Sequence, residues 1–180
     1  MAGHDLPNVI FALASPGSGG DPLVVTLPEL LETVSTGVAS SSSAEITFLE
    51  QRGPTAMLAT NQVGIGSGAI PYHVSGGPRL DAYRRRAACR IDSTAMDDRW
   101  PEFSRDATAA GVQSVLSFPL ISSGDGIGAL SFYSPMAFSF ALRDEQVGSL
   151  FAALVSAILA RATAMSDGRG QRAPGITFPK

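Results

Sequence analysis

Cysteine and histidine are scarce in this sequence, and their scarcity excludes several kinds of chemical site. Cys89 is the only cysteine, so an intrachain disulfide, a Cys-x-x-Cys redox pair and a thiolate zinc site are all excluded. His4 and His73 are the only histidines, and His4 lies close to the amino terminus. A metal ion held by His73 would need partner ligands that the pattern does not supply. We therefore expect neither a metal nor a cofactor.

Long apolar runs and an excess of positive charge are also missing. No run approaches the ~20 apolar residues that a membrane span needs, and no basic region precedes the apolar stretch Val9 to Ala14. The net charge of −3 and the pI near 5.3 argue against nucleic acid or an anionic membrane as partner. With 180 residues, of which 44% are hydrophobic, we expect one soluble, cytoplasmic globular domain.

Two β-rich apolar runs, Val112 to Ile121 and Ile127 to Tyr133, flank a Ser-Ser-Gly-Asp-Gly turn. This pattern predicts an antiparallel hairpin. Neither run alternates cleanly between polar and apolar residues, so both of its faces should be covered and the hairpin should lie mid-sheet. Pro119 cannot donate a ladder hydrogen bond, and we expect a bulge or the end of pairing near it.

The rest of the chain alternates helical and extended patterns. Apolar spacing and capping residues predict helices over Leu6–Ala14, Leu27–Val38, Leu80–Arg86, Asp97–Ala110 and Asp144–Ala164, and strands over Ala44–Glu50, Thr55–Thr60 and Ala88–Asp92. The glycine-rich stretch 61–77 is predicted to be a long loop. These elements predict an α+β fold, a central antiparallel sheet of five or six strands with terminal helices on one face and a pocket side of loops and short helices on the other.

The last predicted helix has no charged residue from Val147 to Ala160. A surface helix normally has a charged outer face, so both sides of this one should be covered. This predicts a homodimer formed through residues 144–164. Residues 1–24 are predicted to be a partly helical or flexible segment, residues 25–165 the domain and residues 166–180 a disordered tail.

Three stretches carry a family resemblance: GGPRLDAYRRR from Gly76, DDRWPEFSRDATAAGVQSVLSFPL from Asp97, and GIGALSFYSP from Gly126, followed by the long helix. Together they resemble a GAF domain, and most of all the GAF modules that precede ANTAR RNA-binding domains in actinobacterial antitermination regulators. The resemblance spans about Leu27 to Ala164. It implies a regulatory sensor with a small-molecule pocket beneath the loops of one sheet face, and dimerisation through terminal helices.

The sequence departs from this family pattern in three places. No helical region for an ANTAR output domain follows the long helix, which argues against direct RNA antitermination by this chain. The family often has a cysteine after Gly-Pro, where this chain has Arg79. The Asn-Lys-Phe-Asp-Glu motif of cyclic-nucleotide-binding GAF domains is absent, so the resemblance implies no cyclic nucleotide.

Several features that suggest chemistry have simpler interpretations. The glycines of Val63 to Gly68 lack the spacing of a phosphate-binding loop and fit a flexible loop better. The arginines 84–86 and Arg90 form a basic cluster that fits a solvated helix end beside Asp81. Cys89 fits a buried thiol, and GAF-fold enzymes that reduce free methionine sulfoxide use several cysteines.

Aromatic residues with a few polar neighbours are the best ligand-contact candidates, because pockets are mostly apolar with a few placed polar groups. The candidates are Trp100, Phe103, Phe118, Tyr83, His73, Asp92 and Ser117. Core packing explains several of these aromatic rings equally well.

The sequence therefore predicts a non-enzymatic sensor or dimerisation module that binds an unidentified small molecule and acts on a separate output protein. One alternative is a GAF-fold enzyme acting on a small polar substrate, with His73 and a nearby Ser or Asp as the only available base and nucleophile. Another is a degenerate domain that only docks a protein partner.

Overall fold

A five-stranded antiparallel sheet forms the centre of the part of the chain that the structure describes, residues 27–50, 53–60 and 76–168 of a computed structural model. The sheet order is β2-β1-β5-β4-β3. Its strands are β1 (Ser43–Glu50), β2 (Gly53–Ala59), β3 (Cys89–Ile91), β4 (Ser114–Ser122) and β5 (Asp125–Ser134). The β4–β5 hairpin occupies the middle of the sheet, as predicted, and the α+β class is confirmed.

In the described part of the chain, four helices cover the two faces of this sheet. They are α1 (Leu27–Gly37), α2 (Pro78–Arg85), α3 (Pro101–Ala109) and α4 (Leu142–Gly168). Helices α1 and α4 pack on one face, here called the α4 face, and α2 and α3 lie on the other, here called the α2 face. The predicted helix at 6–14, the loop segment 61–75 and residues 169–180 lie outside the described residues.

Side-chain alternation along β4 divides the core into two clusters. Leu116, Phe118 and Leu120 join the large cluster against α1 and α4, whereas Val115 joins a smaller one with Phe103 of α3. This is the division that the sequence pattern of β4 predicts, because successive residues of a strand point to opposite faces.

Pro119 is accommodated where β4 has a single neighbouring strand. It lies opposite Ala129 of β5, and the pairing of β3 with β4 ends at Ser117. The register shifts between Leu120 and Ile121, so the bulge predicted near the proline lies one residue beyond it. The freed N–H of Ile121 donates to Ser156 Oγ of α4 at 3.0 Å.

Helix α3 begins four residues later than the Asp97 cap predicts. Pro101 is its first residue, and Trp100 before it has an extended φ of −138°. The residue that precedes a proline avoids the helical region, which explains the late start. Asp97 instead accepts a hydrogen bond from the N–H of Arg99 at 3.0 Å.

Helix α4 is longer than predicted at both ends, and its last three residues, 166–168, were expected in the tail. At its start, Asp144 Oδ2 accepts hydrogen bonds from the N–H of Ala141 at 2.8 Å and from Ser40 Oγ at 3.0 Å. Among the residues described, no helix is both long and apolar enough to cross a membrane.

Candidate functional site

A row of small and polar residues crosses the α2 face of the sheet. Strand pairing places Ala59, Glu45, Ser131, Ser117 and Cys89 side by side, from β2 to β3. Directly opposite residues of paired strands share a face, so this row lies beneath α2. Its centre belongs to what we call the polar cluster, which consists of Glu45, Thr47, Arg79, Ser117, Ser131 and Tyr133.

A buried ion pair forms the core of the polar cluster. Arg79 Nη1 donates to Glu45 Oε1 at 3.2 Å, and their residues are 8% and 1% exposed. Thr47 Oγ1 also donates to Glu45 Oε1. The first turn of α2 holds Arg79 over the sheet, because Gly77 adopts a φ of 141° and Pro78 starts the helix directly after it.

The second carboxylate oxygen of Glu45 is unsatisfied. Oε2 is buried and has no hydrogen-bond partner among the described residues. Ser104 Oγ of α3 is likewise buried without a hydrogen-bond partner among the described residues. An unpaired buried acceptor costs about 1–3 kcal/mol, and more when it is charged. Such an atom needs an explanation, and satisfaction by a bound group is one.

Two hydroxyl contacts complete the polar cluster. Ser117 Oγ and Ser131 Oγ lie 2.8 Å apart. Burial, followed by the nearby charge of Glu45, raises the pKa of Tyr133 far above its usual value, and hydrogen bonds with Ser131 and Arg79 offset only part of this shift.

Four of the predicted contact residues lie on the α2 face. Ser117 belongs to the polar cluster, and Phe103 packs in the core with Tyr133. The partly buried Trp100 ring lies at the edge of that core. The guanidinium of Arg99 lies over this ring, with its Cζ 4.5 Å from the ring centroid. Tyr83 of α2 packs so closely against Gly126 that a Cβ on this glycine would lie 3.0 Å from the tyrosine ring.

The other three candidates do not join them. Phe118 follows Ser117 in β4, so its ring points to the α4 face, where it packs against Gly148. Asp92 is exposed and accepts a hydrogen bond from Arg90 at 2.6 Å. Strand alternation therefore separates Phe118 from Ser117, and the seven candidates do not all lie on one face. His73 lies outside the described residues.

The simpler interpretations of Cys89 and of the basic cluster fit the structure. Cys89 is buried, and burial raises the pKa of its thiol to about 11. Each arginine of the cluster that shows a contact pairs with a carboxylate: Arg85 with Asp81, Arg86 with Asp125, and Arg90 with both Asp92 and Glu145. Ion pairs this exposed contribute little to stability.

The raised pKa of Cys89 predicts slow alkylation of the native protein. Iodoacetamide should modify the folded chain at pH 8 far more slowly than the chain in denaturant, because the thiolate is the nucleophile.

The same shift predicts how stability depends on pH. Since the pKa of Cys89 is higher in the folded chain than in the unfolded chain, the protonated thiol contributes its full stability below about pH 8.5, and this contribution is lost as the pH rises through 11. Urea titrations should show that the free energy of unfolding declines less between pH 8 and pH 10.5 in Cys89→Ala than in the wild type. Equal declines, or rapid native alkylation, would contradict this.

Comparison with known families identifies the fold. The model of the GAF domain family matches residues 22–160, which is more than half of the chain. The chain belongs to the GAF domain family. GAF domains are generally regulatory sensor modules.

Solved structures share this fold at low sequence identity. A domain of a two-component sensor histidine kinase from Sinorhizobium meliloti matches with a TM-score of 0.61 and 15% identity, over 78% of this chain and 92% of that one. GAF3 of Slr1393 from Synechocystis, in its photoproduct state, matches with a TM-score of 0.63 and 11% identity, over 80% of this chain and 99% of that one. A type II free methionine-R-sulfoxide reductase from Thermoplasma acidophilum matches with a TM-score of 0.52 and 14% identity, over 73% of this chain and 96% of that one.

At such identities these likenesses show the fold alone. The search of curated proteins found no match.

The ion pair of this GAF domain is what the sequence interpretation missed. Glu45 and Arg79 are 34 residues apart and lie in different elements. A signal was nevertheless present, because Glu45 is a charged residue within the otherwise uncharged stretch Ala44 to Leu49 of a sheet whose faces were both expected to be covered. Charged residues are rarely fully buried unless they are paired.

Proposed function

We propose that this GAF domain is a non-enzymatic regulatory sensor that binds a small polar molecule at the polar cluster on the α2 face. The supporting observation is Glu45 Oε2, which is buried without a partner among the described residues. Buried polar groups of this kind cluster at functional sites, where they are retained despite their cost to stability.

The chemistry of the polar cluster suggests the class of molecule. Arg79 already lies within hydrogen-bond distance of Glu45, so the pair as a whole is neutral. Glu45 Oε2 accepts hydrogen bonds only, and the Ser117 and Ser131 hydroxyls both donate and accept. A small neutral molecule with a hydroxyl or amide donor complements this set.

The enzymatic alternative finds less support. Several structural neighbours are named as reductases, and fold likeness does not transfer an activity. Nucleophilic catalysis needs an activated nucleophile with a base beside it. In residues 76–168, Cys89 is held as a thiol by its raised pKa, and Ser117 is hydrogen-bonded to another serine rather than to a base.

A thermal-shift screen tests the sensor proposal. A ligand that binds only the folded state stabilises it by about 2.7 kcal/mol at a concentration of 100 Kd, which raises the Tm of a domain of this size by roughly 5–10 °C. We expect at least one compound of a panel of hydroxyl- and amide-bearing metabolites to produce this shift. The control is the double variant Glu45→Leu, Arg79→Met, which lacks the ion pair and should not respond.

The outcomes separate the three candidate functions. A Tm that no compound moves favours a domain that only docks a protein partner. A shift of equal size in the double variant places the ligand away from the polar cluster. Turnover of the stabilising compound by the wild type would favour the enzymatic alternative.

We further propose that the GAF domain dimerises through α4. Leu150 and Leu154, one helical turn apart, are 72% and 47% exposed. Ala153 and Ala157 beside them are also exposed, and no charged side chain interrupts this surface from Val147 to Ala160. A second copy of α4 related by a two-fold axis would cover the same surface in both chains.

Charge substitutions on this surface test the dimer. Light scattering should show a wild-type dimer and a monomer for the double variant Leu150→Arg, Leu154→Arg, with the Tm of the folded monomer retained. The matched control is Met136→Arg, since Met136 is 68% exposed and lies off the helix. A wild type that stays monomeric at high concentration, or a control that also dissociates, would count against the proposed interface.

The output of the sensor is the most distant part of the proposal. The resemblance to the GAF modules of actinobacterial antitermination regulators leads us to propose a cytoplasmic module that controls a separate output protein. Its acidic net charge of −3 fits a protein partner better than nucleic acid.

A further inference from the structure

We propose that one end of the sheet docks an amphipathic helix of a partner protein. Six large apolar side chains are exposed among the described residues, and two of them, Leu150 and Leu154, belong to the proposed dimer surface. The other four, here called the end patch, are Met96, Met136, Phe138 and Leu142. Each of these four is between 64% and 76% exposed. This inference does not depend on ligand binding at the polar cluster.

Hydrogen bonds hold the segments that carry the end patch at the end of the sheet where β3 and β5 finish and β4 begins. The N–H of Phe138 donates to the carbonyl oxygen of Asp92, just after β3, at 2.7 Å. Ser114 Oγ, at the start of β4, donates to the carbonyl oxygen of Met136 at 2.7 Å. Met96 lies four residues after Asp92, and α4 starts four residues after Phe138.

The backbone at Phe138 is strained. Its φ of 56° lies in the left-handed region, which is a genuine outlier for a bulky side chain. Such strain persists only where the surroundings enforce it, and it clusters at ligand clamps and switch regions. Here the bond to Asp92 and the buried side chain of Phe140 hold the loop in place. The fold gains little packing from the Phe138 ring and still bears the strain, which is the pattern of a residue retained for a contact.

The partner must bind through side chains rather than by adding a strand to the sheet. The carbonyl oxygen of Arg90 in the edge strand β3 accepts a hydrogen bond from Arg99 Nη2 at 2.6 Å. The carbonyl oxygen of Asp92 is used by Phe138. These bonds occupy backbone groups that strand addition would need. A helix satisfies its own backbone and offers apolar side chains at i, i+3, i+4 and i+7.

The size of the end patch fits a short helix better than a second copy of the chain. A large side chain presents on the order of 200 Å², so four that are about two-thirds exposed present on the order of 500 Å². A typical stable interface buries about 800 Å² on each partner. Apolar patches of about 300–600 Å² on a monomer are often functional.

Two exposed charges beside the end patch favour one orientation of the helix. Asp98 lies two residues after Met96, Arg143 directly follows Leu142, and neither forms an ion pair among the residues that the structure describes. The other nearby charged side chains pair with one another, and they are Arg90, Asp92, Asp97, Arg99 and Glu145. Helices favour acidic side chains in the first turn and basic ones in the last. The docked helix should therefore have its first turn near Arg143 and its last turn near Asp98.

Two synthetic helical peptides test the docking on the full chain. Each is about 15 residues long, with leucine at i, i+3, i+4 and i+7. One has glutamate in its first turn and lysine in its last, and the other has these charges exchanged. Fluorescence anisotropy of the labelled peptides should give a Kd about fivefold lower for the first peptide. The double variant Asp98→Lys, Arg143→Glu should remove or reverse this preference.

Phe138→Gly separates a contact role from a structural one. Glycine adopts a φ of 56° without strain, so the Tm should stay the same or rise. Binding of the first peptide should nevertheless weaken about tenfold, because the central aromatic ring is lost. The matched control is the double variant Leu150→Ser, Leu154→Ser, which removes the other exposed apolar side chains and should bind the peptide as the wild type does.

Four outcomes would overturn the proposal. Neither peptide binds, or the control loses binding as Phe138→Gly does, which would place the peptide on α4. A fall in the Tm of Phe138→Gly would show that the ring serves the fold. Dissociation of a wild-type dimer by Phe138→Gly would make a second copy of the chain the occupant of the end patch.

Discussion

Arg79→Met is expected to lower the free energy of unfolding by about 3–5 kcal/mol, because it leaves the carboxylate of Glu45 buried and unpaired. For a domain of this size that corresponds to a loss of roughly 10 °C or more in Tm. Urea titration followed by the fluorescence of Trp100, the only tryptophan, measures it directly.

The double variant decides whether the pair acts as a unit. Glu45→Leu with Arg79→Met removes both charges, and replacing a buried ion pair by apolar residues is often neutral or stabilising. We expect the double variant to unfold within about 1 kcal/mol of the wild type, far from the sum of the single effects. Additive losses would show that the two charges are not coupled.

Gly128→Ala is expected to destabilise the fold by about 3 kcal/mol or to prevent folding. A Cβ at this position would meet the carbonyl oxygen of Thr47 and lie 3.2 Å from the Cα of Phe48. Both obstacles are backbone atoms of the neighbouring strand β1, which cannot move aside as a flexible side chain can. Thermal unfolding and the yield of folded protein are the measurements.

Gly124→Asn is the matched control in the same hairpin. Gly124 has a φ of 85°, and a Cβ there would meet nothing within 4 Å. Asparagine tolerates this left-handed conformation better than other residues with side chains do. A loss of under about 1 kcal/mol is expected. If Gly128→Ala were as mild as Gly124→Asn, close approach of β1 and β5 would not explain Gly128.

The sequence predicted the sheet and its coverage well because those features are encoded locally. The two apolar runs and the turn between them predicted the β4–β5 hairpin, and the incomplete alternation of these runs predicted that both faces of the hairpin are covered, as its two core clusters show. The start of α3 was misplaced because Asp97 is a plausible cap, whereas Pro101 fixed the actual boundary.

The polar cluster was beyond local inference. Neither Glu45 nor Arg79 has a neighbour in sequence that indicates its partner, and their contact depends on how α2 lies across β1 and β5. Ser117 was chosen as a contact residue without its partner Ser131, and Phe118 was chosen although it faces the opposite side. Strand alternation alone was enough to separate these last two residues.

A crystal structure of the domain with the compound that gives the largest thermal shift tests the sensor account most directly. The account predicts density for the compound on the α2 face, with a donor atom about 2.7–3.2 Å from Glu45 Oε2. Density for the compound only away from the α2 face, or no density for it at all, would contradict it.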